Sequence, residues 1–305
     1  MTNTTPAPAL PPAPALPQVR PSMSGIAWLL AAGFGFVVMD STAKFLTSDY
    51  ATVQITWSRY LFHMLTALPI LLAWRGKAVF HTRRLDLQLI RSVLLLGSTV
   101  FYFIALRYIP LATAASIGFV APLFLTALSV PLLKERVGPR RWIAVAIGFL
   151  AVFLIIRPGF GTMHWAMTMP LLVAACFAFY QIVTRLLGPI DHWSVTLFYS
   201  GVIGLIVMTA MLPGSWRWPD LEGWLLMIFL GFMGAASHLC MIRAFTLAPA
   251  SMLAPFSYLQ LAWAVGIGYL VFGNLPDRWT VLGAAIIVTS GLYIWYRERV
   301  QATLR

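Results

Sequence analysis

The stretch ALRYIPLATAAS (residues 105–116) returns, altered but in register, as AFTLAPASMLAP (244–255), with Ala105 over Ala244 and Pro110 over Pro249. The order holds on both sides. Upstream, FVVMDSTAK (36–44) lies over FAFYQIVTR (177–185). Downstream, RRW (140–142) meets DRW (277–279) after a gap of two residues. Ordered self-similarity of this kind marks a structural repeat. Around it the chain reads as ten apolar runs: 26–46, 53–74, 87–106, 111–133, 141–157, 164–184, 193–212, 222–246, 250–272 and 279–297. Each is about 20 residues, enough to span roughly 30 Å of hydrocarbon as helix. Five runs fall in each copy. Five is odd, so the second copy enters the membrane from the opposite side. The expected fold is all-α and integral to the membrane, ten transmembrane helices in two inverted five-helix repeats, 26–157 and 164–297. Inverted repeats allow two related packings, one open to each side, around a site near the midplane. That architecture points to a transporter.

Composition agrees. Of 305 residues, 60% are hydrophobic and only 10% charged, with a mean hydropathy of +0.83. The net charge of +12 raises nucleic-acid binding as a reading. The basic residues form no face interleaved with aromatics, however; they sit between the apolar runs, where they set topology. With the N-terminus cytoplasmic, 15 Lys/Arg fall inside and 5 outside, leaving Arg59 within a helix. Both termini are therefore expected in the cytoplasm, with the chain in the cytoplasmic (inner) membrane. Residues 1–25 are Pro/Ala-rich with one charge, Arg20. They lack the basic and apolar regions of a signal peptide and read as a disordered tail. Residues 298–305 read as a short cytoplasmic tail.

The chain shows no HExxH, no nucleophile with a nearby base, no Walker motif and no metal spacing around Cys176 and Cys240. An enzyme is not expected, nor a cofactor or a bound metal. An integral-membrane enzyme and a non-catalytic assembly subunit are the readings from other classes.

The arrangement resembles the drug/metabolite transporter superfamily, specifically its EamA-type members. The matching residues are Arg59, YFIALRYIPLATAASIGFVAPLF (102–124), Glu135, and FTLAPASMLAPFSYLQ (245–260) in the second copy. The resemblance covers nearly all of 26–297. It implies a secondary transporter of a small metabolite: amino acids, nucleotide-linked sugars, vitamins and drugs are all carried in the family. The chain departs from the family pattern in one respect. Pro122 and Glu135 of the first repeat are answered by Leu261 and Asn274, with Pro255 three residues before the second copy's Tyr258. The two halves are therefore expected to bend differently.

Candidate residues follow from polar groups in apolar runs. Asp40 lies ~9 Å below the outer end of its helix, and hairpin geometry sets Arg59 at the same depth. A bare charge there costs roughly 2.5 kcal/mol or more, so the two are expected to pair. Such a pair serves equally as an ion-coupling element, a zwitterion site or a static bridge. His63, one turn from Arg59, and His238, over Thr99 in the repeat, are titratable candidates, which makes protons a candidate coupling ion. Gln181 is the repeat counterpart of Asp40. Pro255 frees the carbonyl of Ser251, and Tyr258 shares their face, with Gln260 and Trp263 beyond. The matching face of the first repeat holds Ser116 and Phe119 opposite Tyr102, with Pro122 below. These residues predict a central cavity, partly aromatic and sparsely polar. It suits a small amphipathic substrate, an amino acid or related compound, moved outward. Lys44 and Arg185 read as helix-end anchors.

Overall fold

The computed structural model describes residues 23–133, 137–158, 164–248 and 250–303. Residues 1–22 of the expected tail, Glu135, Pro249 and the side chain of Ser251 lie outside the description. The helices are α1 (Met23–Leu46), α2 (Thr52–Arg75), α3 (Leu85–Tyr108), α4a (Leu111–Gly118), α4b (Ala121–Leu133), α5 (Pro139–Ile156), α6 (Met169–Leu187), α7 (Trp193–Met211), α8 (Leu221–Leu247), α9a (Ala250–Ser257), α9b (Leu259–Phe272) and α10 (Arg278–Thr303). The last runs through most of the expected C-terminal tail. Among the described residues, nine spans are long and apolar enough to cross a membrane, the two halves of α4 and of α9 each counting as one. The tenth, α2, is less apolar because it holds Gln54, Ser58, Arg59 and His63, and all four are buried. A polar helix whose polar groups face inward belongs to the interior of a multi-pass membrane protein.

Helix ends follow local chemistry. Pro139 starts α5, where its missing amide costs nothing. The Asp220 carboxylate accepts from the Gly223 amide at 2.8 Å and caps α8. Gly273, at φ +66°, closes α9b in the left-handed region.

Packing shows the repeat. Helix α1 packs on α8 as α6 packs on α3; α2 packs on α8 as α7 packs on α3; α1 meets both halves of α9 as α6 meets both halves of α4. Exchanging the repeats turns each contact into its partner. Successive helices α1 and α2 are thus not close neighbours, because α8 stands between them. Small residues make that possible. A Cβ on Gly231 would fall 2.8 Å from the His63 backbone nitrogen, and one on Gly234 would lie 3.2 Å from Met39 Sδ.

Both α4 and α9 are interrupted at the same register, at Phe119–Val120 and at Tyr258. The helical ladder tightens there to three-residue bonds, Val120 N–H to Ile117 O at 3.1 Å and Leu261 N–H to Tyr258 O at 3.0 Å. The breaks coincide although Pro122 follows the first and Pro255 precedes the second. The expectation of unlike bending therefore fails for where the helices break. Symmetry is lost elsewhere. Helix α4a packs on α9b, whereas its counterpart pair, α9a and α4b, packs far less closely among the described residues. The molecule is drawn together toward the face bearing loops 109–110 and 273–277. It is parted toward the opposite face, which bears loops 76–84 and 188–192.

Candidate functional site

Asp40 on α1 and Arg59 on α2 are both buried, 8% and 7% exposed. They interact electrostatically, yet no ion pair joins them among the described residues. Instead Arg59 Nη1 donates to Thr99 Oγ1 on α3 at 2.7 Å. The expected Asp40–Arg59 pair is thereby corrected, and the cause is the intervening α8. Hairpin depth was a fair guide, but hairpin adjacency was not. Arg59 Nε is buried with no partner, and its guanidinium lies over the rings of Tyr60 (5.2 Å) and Phe103 (6.0 Å).

His63 and His238 meet edge to face with ring centroids 5.4 Å apart, and Phe36 lies edge-on to His238 at 4.9 Å. His238 Nδ1 is 2.8 Å from the Gly234 carbonyl oxygen. A carbonyl only accepts, so Nδ1 carries the proton and Nε2 faces elsewhere. Tyr102 on α3 interacts with the Asp40 carboxylate. Together Arg59, Tyr60, His63, Leu95, Leu197, Ser200, Gly201 and His238 enclose a cavity of about 20 Å³.

The remaining sequence candidates spread out from this cluster. The rings of Phe119 and Tyr258 meet at a tilt, with centroids 5.4 Å apart. Gln260 lies against Gly33, 3.7 Å from where a Cβ would stand. Trp263 is 40% exposed and meets Phe34, itself 44% exposed, edge to face at 5.5 Å. Ser116 is buried, and its hydroxyl donates to Ala112 O at 2.7 Å, so its donor is used within its own helix. Gln181 is half-buried on α6, Pro122 is exposed, and Pro255 is half-buried within α9a. Cys176 and Cys240 are free and half-buried.

Two residues matter more than the sequence reading allowed. Arg91 was counted among the loop cations, yet it is only 6% exposed. It donates to Thr184 Oγ1 (2.8 Å), Thr196 O (3.0 Å), Ser200 Oγ (2.5 Å) and the Tyr180 hydroxyl (2.5 Å). It therefore ties α3 to α6 and α7 with no carboxylate. The signal was its position inside the apolar run 87–106. Lys44 turns inward rather than outward. Its Nζ donates to the Leu106 and Ile109 carbonyls at 2.7 and 2.9 Å, and lies 5.6 Å from the Phe272 ring centre. It thus joins α1, the end of α3 and the end of α9b, on the face that is drawn together.

The pattern of the EamA-like transporter family matches residues 23–157 and 164–296. A protein named S-adenosylmethionine uptake transporter from Rickettsia bellii is 27% identical, over 90% of this chain and 94% of its own. A riboflavin transporter from Vibrio cholerae is 28% identical, over 89% and 93%. A pseudopaline exporter from Pseudomonas aeruginosa is 26% identical, over 88% and 94%. One crystal structure superposes with a TM-score of 0.60 at 17% identity, over 87% of this chain and 95% of that one, a likeness of fold.

Proposed function

The chain belongs to the EamA-like transporter family, and from that premise we propose that it moves an amino acid or related amphipathic metabolite across the cytoplasmic membrane by alternating access. The observation that carries the reading is an internal cavity walled by buried Arg59 and His63 and half-buried His238, with Arg59 bonded to buried Thr99 and in electrostatic reach of buried Asp40. Ionisable groups inside a membrane protein are costly and concentrate on transport pathways.

The cavity of about 20 Å³ is far below the ~300–1,000 Å³ of small-molecule sites. Substrate therefore enters only when helices move. The unequal packing of the α4 and α9 halves supplies the movement: α4a would leave α9b as α9a closes on α4b. The two states are then mirror uses of one interface. With both termini cytoplasmic, as the charge count favours, the parted side faces the cytoplasm. Asp40, His63 and His238 are the groups through which protons would couple.

The relatives support a small-metabolite substrate and are named for both uptake and export. S-adenosylmethionine carries an amino-acid head, which agrees with the amino-acid reading. The riboflavin relative favours a vitamin as the second reading. Proteoliposomes loaded with labelled amino acids, S-adenosylmethionine and riboflavin, with and without a pH gradient, test both readings. Selective flux of amino-acid compounds supports the first, flux of riboflavin alone supports the second, and flux of neither removes both.

A further inference from the structure

We propose that Arg59 is the anchor for a carboxylate on the transported molecule; the inference rests on the transport reading above and assigns polarity to its site. Arg59 is 7% exposed and spends Nη1 on Thr99, but its Nε–H meets no acceptor. Native proteins seldom leave a buried charged donor open, because the lost solvation is not recovered. Here the open donor belongs to a cavity wall.

The charge balance points the same way. Asp40 is the one carboxylate buried among the described membrane-spanning helices, against two buried guanidinium groups, Arg59 and Arg91. Arg91 reaches the same cavity through Ser200, one of its walls. A cation entering there would add to the excess, and an anion relieves it. The space admits one small group, which favours a planar carboxylate over a larger oxyanion. Guanidinium and carboxylate match through two parallel N–H···O bonds, and Nε supplies one of them. The walls offer a further polar group in His63. Asp40 has no hydrogen bond among the described residues, and the narrow Gly234 stands between its helix and Arg59. An α-amino carboxylate thus finds its carboxylate partner in Arg59.

The test titrates the full chain in lipid nanodiscs with sodium acetate, against equal sodium chloride and against acetamide, reading the thermal unfolding midpoint by tryptophan fluorescence. Acetate should raise the midpoint saturably, and acetamide should not. Gly234→Ala keeps every charge but sets a methyl 4.0 Å from Arg59 Nε. It should weaken the apparent acetate affinity about tenfold, a change of ~1.4 kcal/mol, and Arg59→Lys should do the same. If acetate acts no differently from chloride, or a folded variant of either kind responds like the wild type, the anchor is overturned. Flux of L-phenylalanine against phenethylamine separates the two claims. Saturable acetate with no amino-acid flux keeps the anchor and removes the amino-acid substrate. Equal flux of acid and amine removes the anchor while transport stands.

Discussion

Phe119 and Tyr258 hold the same place in the two repeats, and their rings meet with centroids 5.4 Å apart at an angle of 38°. Each begins or forms the break in its helix, and each lies eight residues past its helix start. At 1.5 Å per residue that is ~12 Å from opposite faces, so across roughly 30 Å of hydrocarbon they meet near the middle. The repeats therefore touch through their own points of weakness, where the backbone bends most readily. Aromatic pairs contribute about 0.5–1.5 kcal/mol beyond the area they bury. A double-mutant cycle with Phe119→Ala and Tyr258→Ala, read as unfolding free energies in nanodiscs, should return a coupling of about that size. Strict additivity would show that the rings are neighbours without consequence.

Lys44 binds two carbonyls at the end of α3, and hydrogen bonds to a charged group contribute about 1.5–3 kcal/mol each. Lys44→Met should loosen the face that is drawn together. In a background lacking Cys176 and Cys240, a cysteine at Phe119 should react with a water-soluble maleimide about tenfold faster from that side, since tenfold corresponds to ~1.4 kcal/mol. An unchanged rate would reduce Lys44 to a helix-end anchor.

Arg91 makes an unusual stability prediction. Two of its three hydroxyl partners have second bonds: Thr184 Oγ1 donates to Tyr180 O, and Ser200 Oγ donates to Thr196 O, each at 2.7 Å. Replacing Arg91 with methionine removes a buried charge and strands few groups, and such exchanges are often neutral. Tyr180→Phe does the reverse and leaves a buried guanidinium N–H open, which costs about 1–3 kcal/mol. Unfolding midpoints should place Tyr180→Phe below Arg91→Met. The opposite order would mean that the charge itself holds the helices.

Asp191, between α6 and α7, gives a pH dependence. Its partial burial alone would raise the carboxyl pKa, but bonds from Thr82 Oγ1, Gln88 Nε2 and the Arg83 amide, with the Arg83 charge, hold it below 3.8. The folded pKa lies under the unfolded one, so this contribution is complete above the unfolded value of about 3.9 and disappears as pH falls through the folded one. Asp191→Asn should be less stable than the wild type at pH 7, with the gap closing below about pH 4. A gap constant from pH 7 to pH 3 would exclude the ionised carboxylate as its source.

Span length and helix number were legible because both follow from the thickness of hydrocarbon, and the repeat was legible because proline and small residues recur in order. Depth was legible too: residues 40 and 59 are both deep in the interior. Partnership was not, because sequence reports which helices are consecutive and the fold decides which are adjacent. Asp40 was matched to Arg59 across a hairpin, while Arg59 bonds instead to Thr99. Arg91 was read as a topological marker although its run had already been drawn around it. Ser116 looked like cavity lining by helical position, but an inward hydroxyl can be satisfied by its own backbone, as here at Ala112.

The insertion of α8 between α1 and α2 bears on how the chain is made. When the ribosome has released only the first repeat, α1 and α2 lack the α8 surface each packs on; Arg59 keeps Thr99, but neither it nor Asp40 has the α8 wall. The first half is then an incomplete object awaiting the second. Synthesised alone it should be retained by membrane quality control, and co-expression of the two halves as separate chains should rescue it. The interleaving that gives the transporter its symmetry also makes its biogenesis a single, late event.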